Sequence, residues 1–209
     1  MKILKQVAEY LEKGDRERVY ELTGQALEQN VSARQILDDG LIAGMKVVGD
    51  RFRKHEIFLP EVLMAARAMN AGMDLIKPLF IKEGVTAIGK IVIGTVYGDL
   101  HDLGKNLAGV MLKGAGFDVI DLGNNVPAQK FVETAEKENA TVIGMSALLT
   151  TTMMEMKNVT NLLKDKGLDK SIKTIIGGAP VSEEYAKSIG ADAYAYDAAS
   201  GVELVKQLV

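Results

Sequence analysis

Lys90-Ile91-Val92-Ile93-Gly94-Thr95-Val96 runs straight into the turn Gly98-Asp99-Leu100-His101-Asp102-Leu103-Gly104, and a helix-length amphipathic stretch follows. A short β-branched run, a glycine-bearing turn and then apolar residues at three- and four-residue steps is a strand feeding a helix. The same unit returns down the chain. Strands are predicted over 90–96, 118–122, 141–145, 173–176 and 193–196, with helices over 104–115, 127–138, 152–166, 181–189 and 198–208. Five strand–helix units in succession imply a parallel sheet of flavodoxin-like, Rossmann-like α/β type. In such sheets ligands sit at the C-terminal ends of the strands, near the switch in strand order, so the loops after each strand become the places to look.

Upstream of Lys82-Glu83-Gly84 nothing alternates with a period of two. Ile3, Leu4, Val7 and Leu11 mark one helical stripe, and Asp15 can cap a second helix carrying Val19, Leu22 and Ala26. Ser32 with Gln35 makes a capping-box pattern for a third, with Ile36, Leu37, Leu41, Met45 and Val48 inward, which gives way to the charged stretch 50–56. Pro60 suits the first turn of a fourth, which repeats Val62, Leu63, Ala66, Met69 and Met73. A four-helix bundle domain over 1–84 therefore precedes the sheet domain over 85–209.

The composition narrows the chemistry. Of 209 residues 47% are apolar and 25% charged, as in an ordinary globular protein with a core. Lys and Arg number 25 against 28 Asp and Glu, a net charge of −3 that offers phosphate backbones no general attraction, so no nucleic-acid partner is expected. The absence of cysteine excludes disulfides, thiolate zinc sites, iron–sulfur clusters and a cysteine nucleophile. Glu9 and Glu12 interrupt the first apolar run and no later run approaches the roughly 18 residues of a membrane span. A cytoplasmic protein without a membrane partner is expected. Ten methionines at helical spacing read as core filler, and His55 as a solvated loop residue.

Three loops concentrate residues able to do chemistry. The first holds a histidine, two carboxylates and two glycines. An Asp-x-His turn fits a hydrogen-bonded structural histidine as well as a metal ligand whose free ring nitrogen is fixed by a carboxylate. It lacks the further ligands zinc requires, and one histidine suits a metal already held by a macrocycle. The second loop, Ser146-Ala147-Leu148-Leu149-Thr150-Thr151-Thr152, is rich in hydroxyls, and at least one of Thr150 to Thr152 is expected to cap the next helix. The third, Gly177-Gly178-Ala179-Pro180, allows either close approach of a ligand to the backbone or a tight turn.

Asp99-x-His101-x-x-Gly104, then 41 residues, Ser146-x-Leu148, then 28 residues and Gly177-Gly178 resembles the cobalamin-binding signature of corrinoid proteins that bind the cofactor base-off with histidine on cobalt. The resemblance implies that His101 is the axial metal ligand and Asp99 holds its other nitrogen. It further implies that Gly98, Leu100, Asp102, Leu103 and Gly104 surround them, that Ser146, Leu148 and Thr150 line a slot for the cofactor's nucleotide tail, and that Gly177 and Gly178 open room for that tail. The methionine synthase branch of the family carries a serine six residues beyond the first serine; Thr152 stands there in this chain and keeps the hydroxyl. The N-terminal half, through Phe58-Leu59-Pro60-Glu61-Val62-Leu63 and the helix that follows with Met69, is similar to the helical caps of methylamine, methanol and aryl methyl ether corrinoid subunits, which implies that Phe58 presses on the upper corrin face.

On this resemblance the chain is a methyl carrier, not an enzyme complete in itself. Its implied partners are a substrate-specific methyltransferase, an acceptor methyltransferase serving tetrahydrofolate or a thiol, and a reductive activase. Two other readings share the motif: a cobalamin-dependent sensor, for which the chain offers no basic DNA-binding domain, and the small subunit of a cobalamin mutase, whose barrel would have to come from another chain.

Overall fold

A computed structural model describes residues 2–83 and 87–209. The chain divides into two compact units, Met1–Ala87 with Lys113–Gly116, and Ile88–Leu112 with Phe117–Val209. The domain boundary expected near residue 85 lies outside the described residues.

The first unit is helical. Helix α1 (Lys2–Glu12) buries the predicted stripe Ile3, Leu4, Val7 and Leu11. Helix α2 (Arg16–Glu28) starts at Asp15, whose side chain accepts from the Arg18 amide, and the chain leaves it through Asn30 in the left-handed region. Ser32 caps α3 (Ala33–Gln35) through the Gln35 amide. The next seven residues, Ile36–Ile42, are π-helical before α4 (Ala43–Arg53) resumes ordinary winding. Periodicity alone did not anticipate this widened turn. Gly40 and Gly44 lie against α1 there, and a Cβ at Gly44 would stand 2.8 Å from the Ala8 carbonyl oxygen. Helix α5 (Leu59–Glu83) opens with Pro60 in its first turn, buries Val62, Ala66 and Met69, and continues beyond the predicted stripe through Pro78. His55, in the turn before it, is exposed.

In the second unit, among the described residues, β1 (Lys90–Thr95), β2 (Asp118–Asp121), β3 (Val142–Ser146), β4 (Lys173–Gly177) and β5 (Ala193–Ala195) form one sheet in the order β2-β1-β3-β4-β5. Every pairing is parallel. The connecting helices are α6 (Leu103–Gly114), α7 (Ala128–Lys137), α8 (Glu155–Asp165), α9 (Glu183–Ile189) and α10 (Ala198–Leu208). The predicted flavodoxin-like architecture is the one observed, with strand ends shifted by a residue or two.

Because side chains alternate across a strand, each strand supplies both faces of the sheet. Val92, Ile143, Met145 and Ile176 point to a face packed by Phe131, Val132 and Ala135 of α7, Met156, Val159 and Leu163 of α8, and Ala186 and Ile189 of α9. Gly94 lies on this face because a Cβ there would stand 2.6 Å from the Phe131 ring. The other face carries Ile93, Gly144 and Ile175 in one row, and Thr95, Ser146 and Gly177 in the next. Helices α6 and α10 flank it without closing over it.

Candidate functional site

The strand order reverses between β1 and β3, since β2 lies to one side of β1 and the rest of the sheet to the other. The crevice outside the carboxyl ends of these two strands is where doubly wound sheets receive ligands. The loops after β1 and β3 flank it, and a cavity of about 840 Å³ opens there. Its floor is Ile93, Gly144, Ser146, Ile175 and Gly177, while Ala108 and Leu112 of α6 and Gly201 and Val205 of α10 line its sides.

Asp99 anchors the rim. It is 0% exposed, and a buried carboxylate must be hydrogen-bonded or neutralised. Oδ1 accepts the His101 amide at 3.0 Å and lies 2.8 Å from His101 Nδ1. Oδ2 accepts the Leu148 amide at 2.8 Å, the Leu149 amide at 3.3 Å and the Thr152 hydroxyl at 2.6 Å. Burial by itself would raise the Asp99 pKa; the hydrogen bonds from Thr152, the His101 and Leu148 amides and the His101 ring outweigh it and hold the carboxyl well below the usual carboxylate range. An ionised carboxylate only accepts, so Nδ1 donates a proton to Asp99, and in the neutral ring Nε2 then holds the lone pair. Among the described residues Nε2 has no hydrogen-bond partner, and the imidazole is 53% exposed at the cavity rim.

Thr152 Oγ1 is also 3.0 Å from the Leu149 carbonyl oxygen. A hydroxyl has one proton to donate, and the shorter contact to an ionised acceptor is the stronger claim on it. The expectation that a hydroxyl of 150–152 caps the next helix is therefore corrected: α8 begins only at Glu155, its N-cap is Met154, and no side chain caps it. Thr152 is turned toward Asp99 instead.

A second polar chain runs beneath the first. Register sets Thr95 beside Ser146, with their hydroxyl oxygens 3.1 Å apart and Thr95 Oγ1 3.3 Å from the His101 carbonyl oxygen. Ser146 donating to Thr95, and Thr95 to His101, satisfies both hydroxyls.

Leu100, His101, Asp102, Leu103, Gly104, Ser146, Leu148, Gly177 and Gly178 come together as cavity lining. Gly98 and Thr150 do not line it. Gly98 is the left-handed pivot of the His101 loop, and Thr150 is an exposed residue of the β3–α8 loop. Phe58 belongs to the first unit, 68% exposed, with its amide donating to Glu61. Gly178 has a reason of its own, since a Cβ there would fall on the Ala147 carbonyl oxygen. The residues of the β5 end went unassigned in the sequence: Tyr194, Tyr196, Asp197 and Ala198 complete the cavity wall. Their signal was position alone, at the C-terminal end of the last strand. Lys105 was also missed. It is buried beneath the rim, with Nζ 2.5 and 2.6 Å from the two Asp121 oxygens.

A profile described as B12 binding domain matches residues 89–205, and another of the same description matches residues 3–77. The chain belongs to the B12-binding corrinoid proteins. A corrinoid protein of Desulfitobacterium hafniense (strain Y51) is 41% identical over 212 residues, covering 100% of this chain and 98% of that one. The dimethylamine corrinoid protein of Methanosarcina barkeri is 47% identical over 177 residues, 84% of this chain and 83% of its own length. In the solved methanol:cobalamin methyltransferase complex MtaBC from Methanosarcina barkeri, a chain with 30% identity superposes at a TM-score of 0.89, covering 99% of this chain and 79% of that one.

The cofactor of this corrinoid protein is cobalamin or a related corrinoid, and the residues present fit one. Exposed Leu100, Leu103 and Leu148 line the cavity with His101 and leave apolar surface open there, as a docking face for a large apolar ring requires. A Cβ at Gly104 would meet nothing within 4 Å, so the space beside it is free for a ligand.

Proposed function

We propose that this chain is a methyl carrier that binds its corrinoid base-off, with His101 Nε2 as the lower axial ligand of cobalt. The Asp99–His101 pair supports this reading: Nδ1 donates to Asp99, and among the described residues the other nitrogen has no partner at the rim of an apolar slot. When bound, the corrinoid supplies a cobalt centre that accepts and releases a methyl group. Asp99 orients the imidazole and raises its basicity as a ligand, Thr152 and the Leu148 amide hold Asp99 ionised, and the slot lined by Ser146, Leu148 and Gly177 receives the nucleotide tail. Gly178 lets the β4–α9 loop close on Ala147 beside that slot.

The partners of the reading are a methyltransferase that loads the carrier, a second that unloads it to tetrahydrofolate or a thiol, and an activase that restores the reduced metal. The solved complex of a relative with a methanol methyltransferase supports the first of these. Phe58 is proposed to face the upper side of the ring.

Electron paramagnetic resonance of the reconstituted cobalt(II) protein tests the central assignment, because one axial nitrogen splits each line into three. His101→Ala should retain corrinoid through the tail slot and lose the triplet. Retention of the triplet in that variant would sink the assignment.

A further inference from the structure

The stretch Asp121-Leu122-Gly123-Asn124-Asn125, which the site as described leaves without a role, touches the His101 loop at three places and the start of α6 at a fourth. Lys105 Nζ bonds both oxygens of Asp121. Asn124 Nδ2 reaches Asp102 Oδ2 at 3.5 Å. Asn125 holds the loop twice: its Oδ1 accepts the Gly98 amide at 2.8 Å, and its own amide donates to the Asp99 carbonyl oxygen at 3.0 Å. These last contacts bracket the peptide between Gly98, the left-handed pivot of the loop, and Asp99, the residue that orients His101.

Asn125 itself has φ +54°, a region that asparagine enters more readily than most residues with a Cβ. That conformation turns the side-chain oxygen and the amide toward the peptide groups on either side of the Gly98–Asp99 bond. The strand beneath is already secured, because Val126 N donates to Thr95 O and Thr95 N to Gly123 O. Removing the Asn125 side chain therefore leaves the β1–β2 pairing in place and releases the Gly98 amide of the loop.

We propose that Asn125 is a positioning residue for the axial ligand, fixing the Gly98–Asp99 peptide so that His101 is presented to cobalt in one orientation. The proposal rests on the reading of His101 as that ligand. Without the Asn125 side chain, Asp99 keeps its donors from Leu148 and Thr152 and its carbonyl keeps the Asn125 amide, but the Gly98 amide at the start of the loop loses its acceptor.

Asn125→Gly is the sharp variant, since glycine accepts the left-handed backbone and keeps the amide donor while deleting the side chain whose Oδ1 holds the Gly98 amide. In the full-length protein without corrinoid, amide hydrogen exchange at Gly98 should quicken by about three- to tenfold, the range of one exposed hydrogen bond. After reconstitution with cobalamin and reduction to cobalt(II), a smaller fraction of the bound cobalt should show the nitrogen triplet than in the parent. Asn125→Asp, which restores an acceptor, should recover most of both. A parent protein without the triplet would sink the His101 reading and this proposal together. A triplet of parental intensity in Asn125→Gly, with corrinoid retained, would overturn the Asn125 proposal and leave His101 standing.

Discussion

Val92, Ile143 and Ile176 on one face of the sheet, and Ile93, Gly144 and Ile175 on the other, are alternate residues of the same strands, yet one face is a sealed core and the other a slot. On the sealed face Phe131, Met156 and Leu163 are buried to 1% exposure or less, and three helices interdigitate with the strands. On the open face small residues at Gly144, Ser146 and Gly177 lower the floor, and two helices stand apart. Apolar packing keeps the first face shut. Hydrogen bonds centred on Asp99 shape the rim of the second, where apolar surface has been left for a ligand. The contrast teaches that stability and binding have been assigned to opposite pleats of one scaffold, so substitutions on the two faces should separate them.

The largest effect should come from the sealed face. Phe131→Ala removes a ring with 0% exposure and should destabilise the protein by about 3–5 kcal/mol, measured by urea unfolding without corrinoid. A loss under about 1 kcal/mol would mean that this face is not the stabilising one.

Next comes Gly104→Ala on the open face. The added methyl group meets no protein atom and lies within α6, where alanine is favoured over glycine by roughly 0.5–1 kcal/mol. The corrinoid-free protein should be unchanged or slightly more stable, while corrinoid affinity falls by about tenfold or more, the opposite pattern to Phe131→Ala. Parallel urea unfolding and equilibrium corrinoid titration measure the two. Equal affinity in both proteins would show that the space beside Gly104 is not ligand space.

The smallest effect is a gradient with pH. Asp99 is held below the usual carboxylate range in the folded protein, so the unfolded chain binds its proton first as pH falls. The stability that Asp99 contributes is therefore complete above the ordinary carboxylate pKa of about 4 and is lost progressively below it. Acid unfolding without corrinoid should steepen below about pH 4 in the parent relative to Asp99→Asn. Parallel curves would show that the polar rim contributes no acid-sensitive stability.

Local features were legible to different depths. Helix starts at Asp15, Ser32 and Pro60 could be read because capping and first-turn chemistry involve residues within three or four positions of each other. Strand alternation with helices showed a parallel sheet for the same reason. The Asp99–His101 pair was legible as residue types at two-residue spacing. Thr152 was visible as a hydroxyl at a family position, while its contact to Asp99 spans 53 residues and depends on β3 lying beside β1. The expectation of a helix-capping hydroxyl within 150–152 followed from local rules, whereas the partner of Thr152 is distant in sequence. Asn125 and Lys105 carried no local signal, since an exposed asparagine and a lysine at a helix start are ordinary in isolation.

The sequence by itself determined the order and kind of the elements, the absence of cysteine chemistry and the presence of an Asp-x-His turn after the first strand, because each depends on composition or on neighbours within one or two turns of chain. The tertiary structure alone decided which pleat is sealed and which is open, which donors converge on Asp99, and that the β5 end closes the slot. Those outcomes follow from strand order and register, which bring together residues some 50 positions apart, and no property of a short window encodes them.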